Sequence, residues 1–501
     1  MQPPAPGVGN QSVMAQQTAL KSRMLTSVTP MSTTMAWTTH HEAKERVESA
    51  RVKLLAATAA LMSITLIAAI ILVLRTKPSD DGATFETDLT YRKPATTPTE
   101  LATTAAATKE TTVKTTTKRR LVLDSRTLLC TYGKETNTTT LFPEDGICDL
   151  IFFDSAYKNN INVPLQEDTF GEGMNAVLAA ASRYQSTEFG VAFSYLYIEW
   201  LTNDMRETNP TILDAFWRSG VFHFGIIDMP ASNVSYDKIR EVFTLLKELS
   251  IVAMKRPDTL GQPYIVLGAV PQKHADFYAL RMRDIYTPTL FISQGHYAFG
   301  DNTVPGCKVL PPTMLRKPAA SQGYTYDLTD ALSALKQIQD TGVSAKWLVS
   351  FTMKGRWTVV KPKFPLELSS ECNRDRYAKS FGTYVEVCTD AVYGKNLNYV
   401  QRLEAMYTYH RSHRTMFVYD NEEGLCRKMC QLNSQNHPLK FGIAVYDLEY
   451  DDYNNSCSDL NIYGAFSRLK MVRKLVDYFR TPSASGARCE SDVPCPKGAV
   501  N

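Results

Sequence analysis

The sequence lacks a large excess of charge of either sign. Its 501 residues include 55 Lys and Arg and 51 Asp and Glu, which gives a formal net charge of +4. Such a small excess provides no electrostatic case for nucleic-acid binding. Cys426 and Cys430 have no His pair at zinc-like spacing, and we predict neither a metal site nor a cofactor.

Cysteine is absent from the first 129 residues. An even number, ten, is confined to the remainder, which is typical of disulfide bonds formed in an oxidising compartment. The ten are Cys130, Cys148, Cys307, Cys372, Cys388, Cys426, Cys430, Cys457, Cys489 and Cys495.

Charge is also absent from residues 54–74, an apolar run that Lys53 and Arg75 enclose. Twenty-one residues make a helix of about 31 Å, enough to cross a bilayer. More than fifty residues precede the run, which argues against a signal peptide. Basic residues dominate its N-terminal flank, so the positive-inside rule predicts a single-pass type II protein with a cytoplasmic N-terminus. Its cysteines would then be extracellular or lumenal.

Composition divides the rest of the N-terminal region. Residues 1–53 lack apolar periodicity and are predicted to be a disordered cytoplasmic tail. Residues 75–120 are rich in Thr and resemble an O-glycosylated stalk. The stalk ends at Lys118-Arg119-Arg120, which is either a processing site or, as we prefer, a solvated basic cluster. Three glycosylation sequons fall on the external side, at Asn137, Asn233 and Asn454.

From Leu121 onward, eight short apolar runs alternate with helical patterns, which predicts a (β/α)₈ barrel over residues 121–481 and a Cys-containing tail over 482–501. A doubly wound open sheet is the alternative. Ser235 is a predicted helix cap, and Gly342 is predicted to end a helix that begins near Thr329. The predicted strands are Arg126–Thr131, Leu150–Asp154, Gly190–Tyr197, Val221–Asp228, Tyr264–Ala269, Thr289–Ser293, Trp347–Thr352 and Gly442–Tyr446.

Four segments of the C-terminal half resemble, in order and spacing, the glycoside hydrolase family 18 domain of chitinases and chitinase-like lectins. They are Trp347-Leu-Val-Ser-Phe-Thr-Met-Lys-Gly-Arg356, Phe381-Gly-Thr-Tyr-Val-Glu-Val-Cys388, Met416-Phe-Val-Tyr-Asp-Asn421 and Phe441-Gly-Ile-Ala-Val-Tyr-Asp-Leu-Glu-Tyr-Asp-Asp-Tyr453. The resemblance implies a barrel, with Cys130 paired to Cys148 and Cys388 paired to Cys457.

The resemblance also exposes missing catalytic groups. The family pattern on the fourth strand is Asp-Gly-x-Asp-x-Asp-x-Glu, whose Glu is the general acid. Here the strand continues through Asp228 to Pro230 and Ala231. Pro230 and Ala231 are the two alternative matches to that Glu, and neither side chain has a proton to donate. Gln294 stands at the end of a sixth strand without the family's Tyr-Asp pair, and Lys354 replaces a Tyr. We therefore expect no chitinase activity and no catalytic residue.

Three functions remain open. The first is a chitinase-like surface protein that binds chitin or an N-acetylglucosamine-type glycan, with Tyr446 as the expected floor of the groove; its other candidates are Trp357, Arg356, Tyr195 and Gln294. The second is a scaffold for an extracellular protein partner. The third, which we favour least, is a hydrolase that uses other residues, such as His223, Asp228, His296, Asp447 and Glu449. Glu449, Asp451 and Asp452 are predicted to form a solvated or Arg-paired loop.

Overall fold

The computed structural model describes residues 122–497, except 209–210, 232–233, 257–261, 298–305, 320–325, 374–379, 436–438, 482–483 and 485–487. The predicted tail, apolar run and stalk, with Asn233, lie outside the described residues. Within the described part of the chain, no helix combines the length and the apolar character needed to cross a membrane.

Eight parallel strands form a closed barrel. Each coincides with one of the eight predicted runs. The first strand pairs with the last, at Leu128 to Ile443 and Cys130 to Val445, which closes the sheet and rules out the open alternative. The strands are β1 (Leu128–Tyr132), β2 (Leu150–Ala156), β3 (Glu188–Phe193), β4 (Val221–Ile226), β5 (Ile265–Ala269), β6 (Leu290–Ser293), β8 (Lys346–Thr352) and β15 (Gly442–Tyr446).

Two predicted strands extended too far. The third was expected to reach Tyr197, but the chain leaves the sheet after Phe193 and turns into a 3₁₀ helix at Tyr195–Tyr197. The fourth ends at Ile226 instead of Asp228. Asp228 accepts hydrogen bonds from the Tyr195 N–H and the Ser194 hydroxyl, which replace strand pairing at this point.

Helices surround the barrel and bury apolar stripes against it. The Ser235 side chain accepts a hydrogen bond from the Lys238 N–H, which confirms the predicted cap, and Gly342 has a φ of 86° just beyond its helix. The helix expected from Thr329 begins at Leu328 because Asp327 caps it. The helices are α1 (Glu172–Ala181), α2 (Ile198–Thr208), α3 (Asp214–Arg218), α4 (Tyr236–Ala253), α5 (Ala275–Asp284), α6 (Leu328–Asp340), α7 (Val385–Cys388), α8 (Glu422–Ser434), α9 (Ser467–Arg480) and α10 (Cys489–Asp492).

An antiparallel sheet is inserted mainly between β8 and α8. Its own core packs Trp357 against Phe417, with ring centroids 4.6 Å apart. A Cβ at Gly355 would lie only 1.8 Å from the Phe417 ring, so this position requires glycine. The strands of this insertion sheet are β7 (Cys307–Lys308), β9 (Gly355–Val360), β10 (Glu371–Asn373), β11 (Phe381–Gly382), β12 (Asn398–Val400), β13 (Ala405–His410) and β14 (Thr415–Tyr419).

All ten cysteines form disulfide bonds. The structure contains the two pairs that the resemblance implied, Cys130–Cys148 and Cys388–Cys457, and a third, Cys307–Cys372, within the insertion sheet. The two remaining bonds, Cys426–Cys495 and Cys430–Cys489, attach the C-terminal segment to α8. Cys426 and Cys430 are four residues apart and therefore share one face of that helix.

Candidate functional site

Charged side chains meet at the end of the barrel where the parallel strands terminate. Asp154 belongs to β2, and Lys158 follows it. Lys354 follows β8, and Asp447 and Glu449 follow β15. These five residues, here called the mouth cluster, act electrostatically on one another. Asp447 is buried, and the other four are partly exposed, so the cluster faces solvent at the face where barrel enzymes carry their sites.

The centre of the mouth cluster is an ion pair. The Lys354 Nζ lies 2.7 Å from the Asp447 Oδ1, and the Thr352 hydroxyl donates to the other Asp447 oxygen at 2.6 Å. Burial opposes ionisation of Asp447, but Lys354 and its hydrogen bonds outweigh burial and lower the pKa. Asp447 has a φ of 65°, a conformation that a residue other than glycine keeps only when its surroundings hold it. It is therefore a fixed anion.

Glu449 stands beside this pair and keeps its proton. Its Oε2 accepts a hydrogen bond of 3.0 Å from the Gly133 N–H. A Cβ at position 133 would lie 2.7 Å from Oε1, so glycine is required there. Burial, and then the charge of Asp447, raise the pKa of Glu449 to about 8. The side chain is consequently protonated in most molecules at neutral pH.

Asp154 titrates near neutrality. Burial, and then the charge of Asp228, raise its pKa to about 7, against the opposing effect of Lys158. Burial opposes the charge of Lys158, but Asp154 and Asp228 raise its pKa and keep it cationic. The mouth cluster therefore holds exchangeable protons in the physiological range.

Tyr446 closes the barrel beneath the cluster. Only 4% of it is exposed, and its hydroxyl donates to the Ile227 carbonyl at 3.0 Å. The ring reaches across the barrel because Gly268 has no side chain: a Cβ there would lie 2.7 Å from the hydroxyl. Tyr446 thus occupies the predicted floor, but its ring is buried and its polar end is satisfied within the protein.

Two polar groups next to Tyr446 have atoms without partners among the described residues. Gln294 donates to the Ile227 carbonyl through Nε2 at 3.0 Å, whereas its Oε1 has no partner. His296 packs on Tyr446 with ring centroids 4.6 Å apart and contacts the Ser350 hydroxyl through Nδ1 at 2.7 Å. Its Nε2 has no partner. Burial lowers the pKa of His296 to about 3, so the ring is neutral.

The end of β4 contains no available acid. Asp228 is buried, and both of its carboxyl oxygens are engaged, by the Ser194 hydroxyl at 2.8 Å and the Tyr195 N–H at 2.7 Å. Ala231 packs against an apolar cluster that includes Tyr297, and Pro230 has no ionisable group. Asp228 therefore joins the ends of β3 and β4.

Three predicted sugar-binding residues have other surroundings. Tyr195 is buried beside Asp228. Arg356 is half-buried, donates to the Lys308 carbonyl at 3.3 Å and lies over the ring of Tyr297. Trp357 is buried within the insertion sheet, so its ring is covered by protein neighbours.

A partly exposed aromatic pair follows the end of β3. Tyr197 and Trp200 form an edge-to-face pair with centroids 5.4 Å apart, and 46% of Trp200 is exposed. Trp200 shares a helix face with Asp204, which lies four residues further along α2. Asp204 accepts a hydrogen bond of 2.7 Å from the Tyr157 hydroxyl. This hydrogen bond joins the helix that carries Trp200 to the segment that carries Lys158.

The structure brings together four of the five residues considered as unconventional catalytic groups. Asp228, His296, Asp447 and Glu449 lie at the mouth. His223 does not, because it belongs to the early part of β4, where it contacts Glu188 at 2.8 Å. Asp154 and Lys158 were missed. An acid directly after the buried run Leu150–Phe153 was the available signal, because residues at the ends of barrel strands are frequently functional.

The loop after β15 is Arg-paired in part but not solvated. Asp451 is buried and its Oδ1 lies 2.9 Å from Arg468, as the Arg-paired alternative predicted. Asp452 is buried as well and accepts from the Cys457 N–H at 2.7 Å. Only Glu449 is partly exposed.

No protein-family model and no curated protein matches this chain, but solved chitinase structures share its fold. The Ostrinia furnacalis Group II chitinase catalytic domain 2 is 11% identical with a TM-score of 0.51, covering 75% of this chain and 99% of that one. The Group IV chitinase of the same organism is 14% identical with a TM-score of 0.50, covering 71% and 100%. Human YKL-39, described as a pseudo-chitinase with retained chitooligosaccharide binding, is 11% identical with a TM-score of 0.50, covering 70% and 99%. At these identities the likeness concerns the fold alone.

Proposed function

We propose that the barrel binds glycans of the chitin type at its mouth without hydrolysing them. The observation that carries this proposal is the end of β4. Its one carboxyl, Asp228, is fully engaged by Ser194 and Tyr195, and Pro230 and Ala231 follow in the positions open to a general acid. Chitooligosaccharide binding by a pseudo-chitinase of the same fold supports the choice of ligand.

Two features of the mouth suit a sugar. The partly exposed charged groups of the mouth cluster are donors and acceptors for hydroxyl and acetamido groups. The exposed Trp200 offers an apolar face on which a sugar ring stacks. The buried Tyr446 contributes the closed floor rather than a stacking surface.

We further propose that residues 54–74 anchor the chain in a membrane as a type II protein, with the barrel outside. The uncharged run and its basic N-terminal flank support this, as do five disulfide bonds in the barrel unit. Synthesis of the full chain with microsomes, followed by external protease, tests it. The barrel should be protected and the first 53 residues digested; digestion of the barrel would contradict the proposal.

The binding test uses the purified full chain in a detergent without a sugar headgroup, because a sugar headgroup would compete. N-acetylglucosamine oligomers are titrated by calorimetry, and the same samples are analysed by mass spectrometry for cleavage. We expect saturable binding, intact oligomers, and a loss of affinity of about tenfold in Trp200→Ala, since stacked aromatic rings carry much of such binding energy. Tyr236→Ala, another exposed aromatic at a helix start, is the matched control.

A hydrolase with unconventional groups is the second candidate, because Asp154 and Glu449 are partly exposed acids with pKa values near 7 and 8, the range that suits a general acid. Cleavage that Glu449→Gln or Asp154→Asn abolishes would establish it and refute non-hydrolytic binding. Absence of both binding and cleavage would favour the protein scaffold.

A further inference from the structure

We propose that the mouth cluster selects sugars that carry a protonated amine, so that glucosamine units bind in preference to N-acetylglucosamine units. This inference rests on the proposed glycan-binding function and adds the chemical class of the ligand. It follows from an imbalance of charge at the mouth and from polar atoms beneath it that lack partners.

The imbalance is seen by counting the ionisable groups that the described residues bring to the mouth. Two ammonium groups, Lys158 and Lys354, face four carboxyl groups, and the one imidazole, His296, is neutral. Further acids stand at the outer edge: Glu135 and Glu386 both act on Tyr450, which packs on Lys354. The four carboxyl groups are Asp154, Asp228, Asp447 and Glu449.

The polar atoms without partners are an independent observation. Gln294 Oε1 and His296 Nε2 belong to side chains that are fully buried beside Tyr446, and neither has a hydrogen-bond partner among the described residues. His296 also interacts electrostatically with Asp447 and Lys354, the central pair of the mouth cluster. An amide oxygen is an acceptor only, and an ammonium group offers three donors. A buried acceptor of this kind is costly unless a donor reaches it.

The protons now held by the cluster explain why the amine must be charged. Asp154 and Glu449, with pKa values near 7 and 8, keep protons because burial, and then the charge of a neighbouring carboxylate, outweigh the effect of the nearby ammonium groups. A bound ammonium group supplies the missing charge, and the carboxyl groups then release protons to solvent. An acetamido group is uncharged and therefore displaces none.

Calorimetric titration of the full chain tests this inference. Glucosamine oligomers and N-acetylglucosamine oligomers of equal length are compared near pH 7, each in two buffers of different ionisation enthalpy. The glucosamine oligomer should bind about tenfold more tightly, as an added charge pair in a partly buried site allows. It should also release about one proton per oligomer bound. The N-acetylated oligomer should release none.

Variants locate the effect. Glu449→Gln and Asp154→Asn keep the shape of each side chain and remove its ability to ionise, so each should reduce both the preference for the amine and the proton release. Glu371→Gln removes an exposed acid from the insertion sheet, where it pairs with Lys361 at 2.8 Å, and should change neither. Thermal unfolding identifies any variant that fails to fold. If one of the two mouth variants does not fold, the other tests the inference.

The outcomes separate the two levels of the proposal. Tighter binding of the amine with proton release supports the inference. Equal binding of both oligomers without proton release overturns it and leaves the proposed glycan binding intact. Binding of neither oligomer overturns both.

Discussion

Two groups of buried charges in this chain are built differently. The mouth cluster has more acids than bases and is partly open to solvent. The second group, here called the clasp, contains Asp420, Lys428, Asp451 and Arg468. Its two ion pairs, Lys428–Asp420 at 2.5 Å and Arg468–Asp451 at 2.9 Å, each join one cation directly to one anion, and no side chain in them is more than 1% exposed. The buried Glu422 also acts on Arg468.

The position of the clasp explains why it is closed to solvent. Arg468 donates to the carbonyl of Met353, just after β8, and to that of Asp420, just after β14. The chain enters and leaves the insertion sheet near these two residues, so the clasp fastens that sheet to the barrel. A closed group of directly paired charges has a structural role here, whereas a group of ionisable side chains at an open surface leaves charge for a ligand to satisfy.

The largest expected effect comes from opening the clasp. Arg468→Ala leaves Asp451 buried without its partner and should lower the free energy of unfolding by about 3–5 kcal/mol. Denaturant titration measures this loss. Lys336→Ala, which removes a surface pair with Asp340, is the control and should cost less than about 1 kcal/mol. Equal effects of the two variants would show that the clasp does not hold the fold.

A smaller loss is expected at the mouth. Lys354→Met leaves Asp447 without its cation and should cost about 1–3 kcal/mol near pH 8. The loss should shrink near pH 5, because Asp447 then takes up a proton. Denaturant titrations at both values measure it. A loss as large as that of Arg468→Ala would remove the distinction between the two groups.

The pH dependence of stability sharpens the comparison further. Asp154 and Glu449 ionise in the unfolded chain near pH 4 to 4.5, but in the folded chain only near 7 and 8. The folded state therefore binds more protons, and its stability should fall as the pH rises from about 5 to 8. Glu449→Gln should reduce that fall by about 1–2 kcal/mol, allowing for the partial exposure of this side chain. If the stability of Glu449→Gln falls with pH as steeply as that of the unsubstituted chain, the raised pKa assigned to Glu449 is wrong.

The smallest effect is expected at the barrel floor. Tyr446→Phe removes the hydroxyl that donates to Ile227 and should cost about 1 kcal/mol. Glycan affinity should not change, because the ring is buried beneath the mouth. Thermal unfolding and the calorimetric titration measure the two effects. A large drop in affinity would restore Tyr446 as a sugar-contacting residue.

The barrel was predictable from the sequence because its signals are local. Each strand is an apolar run bounded by polar residues, and Ser235 and Gly342 mark helix ends through their own backbone preferences. The disulfides of the C-terminal segment were not predictable. After the two implied pairs, six cysteines remained, which allow 15 pairings, and only the folded chain brings Cys489 and Cys495 to α8.

The mouth could be predicted only in part, because its contacts also join residues that are far apart in the sequence. Asp447 and Glu449 appeared in one resembling segment, whereas Lys354, whose charge acts on both of them, follows a strand far away in the sequence. Trp357 was chosen for its residue type, but the packing of the insertion sheet covers it. Burial of a given aromatic depends on distant neighbours, and residue type alone does not indicate it.

The most direct test of the central claim is a crystal structure of the chain soaked with an N-acetylglucosamine oligomer. The account predicts an intact oligomer over Lys354 and Glu449, with one sugar ring stacked on Trp200. A cleaved oligomer at the mouth, or an intact one bound elsewhere with the mouth empty, would contradict it.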